Sequence, residues 1–132
     1  MKTPTQQTLD LVAQTIFDRK GFNILALDVR GLSTMTDYYV IAEGNIDRHV
    51  RSIALSVKDA LKGKGLKLIN MEGDVDGDWV VVDYGDFVLH LLVPEMREKY
   101  ALEELWKEGK IIDLKIELEQ VRKGKECPRS AS

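Results

Sequence analysis

The stretch from Asp78 to Leu92, DWVVVDYGDFVLHLL, alternates so regularly that it constrains two strands, the turn between them and their register at once. Gly85 and Asp86 suit a two-residue hairpin loop between strands expected over Trp79 to Tyr84 and Phe87 to Val93, because glycine and aspartate tolerate the backbone angles of tight turns. That loop sets Asp83 opposite Val88, Val81 opposite His90 and Trp79 opposite Leu92, all on one sheet face. The other face carries Val80, Val82, Tyr84, Phe87, Leu89 and Leu91, nearly pure hydrocarbon, and is expected to lie on the main core. The first face sets an aromatic and two polar groups on an apolar ground, a mixture that suits a partly covered surface.

Around this hairpin the apolar spacing switches between helical and strand periods. Leu9, Val12, Ala13, Ile16 and Phe17 form a helical stripe over Thr5 to Lys20, with Gly21 expected to end it. Asn23 to Val29 and Tyr38 to Glu43 are of strand type, joined by the loop RGLSTMTD. Asn45 is placed to cap a helix in which Ile46, Val50, Ile53, Val57, Ala60 and Leu61 repeat. Leu66 to Glu72 carries a weaker strand signal, GDVDGD is a turn, and Pro94 suits the first turn of a helix running to about Trp106. This order predicts one α/β (α+β) domain, a mixed four- to five-stranded sheet flanked by helices, over residues 1–122, with a flexible tail at 123–132. A chain of 132 residues is long enough for one sizeable core and short for two.

Several function classes are disfavoured. A net charge of −3 is the wrong sign for a chain whose whole surface binds a phosphate backbone, so no sequence-specific nucleic-acid binding is expected. Apolar runs such as Leu91 to Val93 are far too short to span a membrane. The first residues lack a secretory or transit pattern, and the single cysteine, Cys127, has no internal disulfide partner, so a cytoplasmic location is expected. No phosphate-binding glycine loop occurs, and the aspartates of DVDGD do not have the spacing of a calcium loop, so no cofactor or metal is expected.

The mixed face of the hairpin admits three readings. Asp83 and His90 are a diagonal pair within side-chain reach, so a carboxylate-oriented general base is conceivable, as in a degenerate nucleotidyltransferase or hydrolase. In the second reading the same two groups are hydrogen-bonded at a sheet edge with no chemistry at all. The third reading rests on charge: between Leu68 and Val93 lie six acidic residues, Glu72, Asp74, Asp76, Asp78, Asp83 and Asp86, and no lysine or arginine. Acidic groups around aromatic anchors would complement a basic protein, as in a dimerising adaptor.

The strings DYYVIAEGN, WVVVDYGDFVLHLL and YALEELW together resemble the ribosomal silencing factor, or Iojap-like, family over about Leu9 to Trp106. The resemblance implies a nucleotidyltransferase-like fold without the reaction, since the Gly-Ser loop and paired strand carboxylates of those enzymes are lacking. It implies a cytoplasmic bacterial protein, homodimeric when free, that binds the large ribosomal subunit through ribosomal protein L fourteen, blocks subunit joining and represses translation. Positions matching the family's shared surface motif are Trp79, Asp83, Tyr84, Gly85, Asp86, His90, Arg97 and Tyr100. Strand parity sets Tyr84 on the face opposite Trp79, in tension with one shared surface. KGFNI at Lys20 to Ile24 and the tail beyond Trp106 depart from the family pattern.

Overall fold

The computed structural model describes residues 4–34, 36–100, 109–112 and 114. Helix α1 (Pro4–Asp18) is followed by strands β1 (Phe22–Asp28) and β2 (Tyr38–Glu43), helix α2 (Asp47–Gly63), and strands β3 (Asn70–Glu72), β4 (Trp79–Asp83) and β5 (Phe87–Leu92). Helix α3 (Pro94–Tyr100) and strand β6 (Lys110–Ile111) complete the described elements. The strands form one six-stranded sheet in the order β3-β4-β5-β2-β1-β6. β2 and β5 are parallel at its centre, and every other neighbouring pair is antiparallel.

The fold class agrees with the sequence expectation, and the strand number exceeds it. The sixth strand, β6, pairs Leu27 with Ile111 and Asp28 with Lys110. Two residues, one of them lysine, are too few to display a period of two. The helix expected through Trp106 is described to Tyr100; residues 101–108 and the tail from 115 lie outside the described residues.

Both long helices cover one face. Leu9, Val12 and Ile16 of α1 and Val50, Ile53, Val57 and Leu61 of α2 pack with Val80, Val82, Leu89 and Leu91 in the main core, as the hairpin's parity requires. The opposite face carries a smaller cluster of Leu27, Val29, Tyr39, Ile41, Val88 and Leu92, against which Trp79, Val81 and Met96 of α3 pack. With both faces covered, all six residues of β2 are buried.

Two helix ends differ from expectation. Lys20, with φ 71°, takes the left-handed position at the end of α1. Gly21 supplies room instead: its N–H donates to the Ile16 carbonyl at 2.8 Å, and a Cβ there would lie 2.4 Å from the Ile16 side chain. At α2 the cap is Ile46, which makes no side-chain cap bond. Asn45 lies one residue outside the cap, where its backbone N–H donates to His49 Nδ1 at 2.8 Å while the other ring nitrogen of His49 bonds the Arg19 carbonyl.

Candidate functional site

The hairpin register matches the alternation pair for pair: Trp79 faces Leu92, Val81 faces His90 and Asp83 faces Val88. The loop closes through a hydrogen bond from the Tyr84 N–H to the Phe87 carbonyl at 3.0 Å, and Gly85 holds φ 88°. Trp79, Asp83 and His90 therefore share the face away from α1 and α2. Parallel pairing of β2 with β5 sets Ile41 beside His90 and Tyr39 beside Val88 on that same face.

Four rings line up there, from four different elements. Tyr39 and His90 have centroids 5.4 Å apart, His90 and Trp79 6.1 Å, and Trp79 and Tyr100 4.9 Å, all tilted. The Trp79 Nε1–H donates to His90 Nδ1 at 3.1 Å. His90 Nδ1 is thus an acceptor, which fixes the neutral ring with its proton on Nε2. Burial pushes the His90 pKa down to about 4, because the charged ring would lose its hydration. Protonation of His90 thus belongs to strongly acidic conditions. Tyr39 ends the row on its buried side, and Tyr100, 46% exposed, ends it toward solvent.

The Asp83–His90 pairing on which two of the three readings rested is not formed. Asp83 Oδ1 accepts the Gly85 N–H at 2.8 Å, the bond of a residue that braces its own turn. Backbone spacing permitted the diagonal contact, but the Asp83 carboxylate is turned to its own loop, and the Nδ1 of His90 is taken by the indole N–H of Trp79. The nucleotidyltransferase or hydrolase reading thereby loses the dyad on which it rested. Among the described residues, no three His, Cys, Asp or Glu side chains are grouped to hold a metal ion.

The remaining residues of the motif divide between two places. Tyr84 stacks on Phe87, with centroids 5.3 Å apart and planes 17° apart, on the helix-covered face. Its ring does not curl round to join Trp79, so strand parity prevails; burial raises its hydroxyl pKa. Asp86 is exposed, and with Tyr84 and Phe87 lines a shallow groove shared with Thr5, Thr8, Leu66 and Lys67. Arg97 turns inward, only 11% of its side chain being exposed, and pairs with the equally buried Glu43 at 3.3 Å.

The acidic residues also separate. Glu72, Asp74, Asp76 and Asp78 are exposed around the β3–β4 turn beside Trp79, whereas Asp83 and Asp86 lie at the far end of β4, about 13 Å along the strand. Arg51 of α2 donates to the Val75 carbonyl at 2.9 Å and ties the acidic turn to the helix layer. Gly73 and Gly77, both at positive φ, let the turn fold in; a Cβ on Gly73 would stand 2.0 Å from the Trp79 carbonyl oxygen.

Tyr39 and Glu43 joined this face without being foreseen. Their parity with Ile41 was visible in the sequence, but the parallel pairing that carries β2 next to His90 leaves no local signal.

A two-helix layer on one side of a mixed sheet and a row of rings on the other define a small two-layer α/β domain. The family model for "Ribosomal silencing factor during starvation" matches residues 2–132, and the chain belongs to that family. The ribosomal silencing factor RsfS of Bacillus subtilis is 38% identical over 85% of this chain and 95% of its own length. The mitochondrial assembly of ribosomal large subunit protein 1 of Mus musculus is 32% identical over 74% of this chain and 44% of its own. A crystal structure from Chromobacterium violaceum superposes with a TM-score of 0.77 at 33% identity, covering 85% of this chain and 92% of that one. One from Bacillus halodurans gives 0.73 at 31% identity, covering 83% and 99%. No described helix is long and apolar enough to cross a membrane.

Proposed function

We propose that this ribosomal silencing factor family member acts in the bacterial cytoplasm, binds the large ribosomal subunit through ribosomal protein L fourteen, and blocks joining of the small subunit by occupying space. The observation that carries this reading is the row Trp79, His90 and Tyr100, a partly exposed aromatic edge flanked by the acidic turn of Asp74, Asp76 and Asp78. Rigid rings give burial at low entropic cost, and the carboxylates give long-range attraction to a basic partner. The family match and the large-subunit assembly protein among the relatives support the choice of subunit. Trp79 and Tyr100 are the anchors, His90 holds Trp79 in place, and Asp83 and Asp86 stand at the far end of the hairpin as charge partners or turn braces. Tyr84 contributes from the helix-covered face, and Arg97 through the helix that bears Tyr100. When free, the protein is a homodimer.

Sedimentation with isolated large and small subunits tests the proposal. The protein should travel with the large subunit and not the small one, and its addition should lower the yield of joined ribosomes. Trp79→Ala should weaken large-subunit binding by about 2 kcal/mol or more, as loss of a central aromatic anchor does. Full binding by that variant, or sedimentation with neither subunit, defeats the reading.

A further inference from the structure

Helix α3, the carrier of Tyr100, has only seven residues and none of them is buried. Helices that short are not held by intrinsic propensity, so tertiary contacts must fix α3 against the sheet. Met96 supplies one, packing against both apolar clusters. A second is polar and closed on itself. Arg97 Nη1 donates to Glu43 Oε2 at 3.3 Å and to the backbone carbonyl of Asn23, while Asn23 Nδ2 donates to the same Glu43 oxygen at 3.2 Å.

Each member of this triangle is placed by the fold. Glu43 is the last residue of β2, paired with Phe22 on one side and Leu92 on the other, and is 7% exposed. Asn23 stands where the β1–β2 register shifts, with φ 52°, a left-handed conformation that asparagine tolerates better than most residues. Arg97 precedes Tyr100 by three positions, so the two side chains are neighbours on one helix face.

We infer that Asn23, Glu43 and Arg97 form a clasp that sets the pose of α3, with Glu43 as the positioning residue that, acting through Arg97, seats Tyr100 on Trp79. Glu43 acts through the Arg97 side chain and decides where the helix bearing Tyr100 lies. The consequence for large-subunit docking rests on the proposed function above, whereas the seating itself does not.

The test uses the full chain in a Trp106→Phe background, where Trp79 is the sole tryptophan. Its near-ultraviolet circular dichroism and emission report the Tyr100 contact directly. Glu43→Ala should move both signals to the values given by Tyr100→Ala, and should add nothing further when combined with Tyr100→Ala. In sedimentation, Glu43→Ala should lose about tenfold in large-subunit affinity, again with no additional loss on top of Tyr100→Ala. Glu43→Gln, which keeps the oxygen acceptor, should restore most of the Trp79 signal. A folded Glu43→Ala protein with the parental Trp79 spectrum, or affinity losses that simply add, overturns the inference. If the single variant unfolds because it strands the Arg97 charge, the paired Glu43→Leu/Arg97→Leu variant removes both charges and is judged by the same spectrum. Retained affinity in Trp79→Ala would strike the docking proposal alone, leaving the clasp to stand or fall on the spectra.

Discussion

The indole of Trp79 donates its N–H to Nδ1 of His90 across 3.1 Å, and this bond joins β4 to β5 on the face that the long helices leave uncovered. It gives His90 a definite proton arrangement and holds the Trp79 ring between His90 and Tyr100.

Acid should weaken the fold through His90. Its folded pKa of about 4 lies below the ordinary 6.5. Below about pH 6.5 the unfolded chain therefore binds a proton that the folded chain refuses, and stability falls as pH drops toward 4. The loss should approach roughly 3 kcal/mol across that window, with no slope from this group above it. Urea denaturation at pH 7, 5.5 and 4.5 should show the decline, and His90→Phe should flatten it. Large-subunit binding should be insensitive to His90 between pH 6 and 8.

Trp79→Phe separates the ring from its N–H. Phenylalanine keeps a ring against Tyr100 but leaves His90 Nδ1 without its donor, which should cost about 1–2 kcal/mol of stability. Because the apolar anchor survives, affinity for the large subunit should fall less than in Trp79→Ala. Equal stability of Trp79→Phe and the parent would show that the indole bond contributes nothing.

Asp83 braces the turn through its bond to the Gly85 N–H. Asp83→Asn retains an oxygen acceptor and should keep the denaturation midpoint, whereas Asp83→Ala should lose about 1 kcal/mol. A charge contact with a partner gives a different pattern, in which both variants lose affinity alike. Thermal denaturation and sedimentation on the same pair of variants distinguish the two roles.

Gly73→Ala should be among the more damaging single substitutions in the β3–β4 turn. The added Cβ meets the Trp79 carbonyl oxygen at 2.0 Å, and the residue holds φ 84°. Strain and clash together should cost about 2 kcal/mol or more, read as a lower urea midpoint. Gly63→Ala, with nothing within 4 Å of its Cβ, should leave the midpoint unchanged or raise it.

The sequence carried the hairpin well, because a period of two with a two-residue loop leaves one register for Trp79, His90 and Asp83. It carried the helix stripes equally well, since Leu9, Val12 and Ile16 had one face to bury. It did not carry which side-chain atoms meet. Asp83 and His90 were within backbone reach, yet each found a nearer partner, in Gly85 and Trp79. Nor did it carry contacts between distant segments: Asn23, Glu43 and Arg97 are 20 and 54 residues apart, and no periodicity links them. Strand β6 escaped notice because a pairing of two residues has no pattern of its own.

The parallel contact between β2 and β5 sets an order of events during synthesis. β2 is complete at Glu43, but the strand that flanks it begins at Phe87, so more than forty residues must be made before that side of β2 is paired. Until then a largely apolar strand presents one open row of amides and carbonyls, the kind of edge on which chains aggregate. Such a long loop closure also makes a slow nucleus, so substitutions at the β2–β5 seam should delay folding more than equally costly ones in the β4–β5 hairpin.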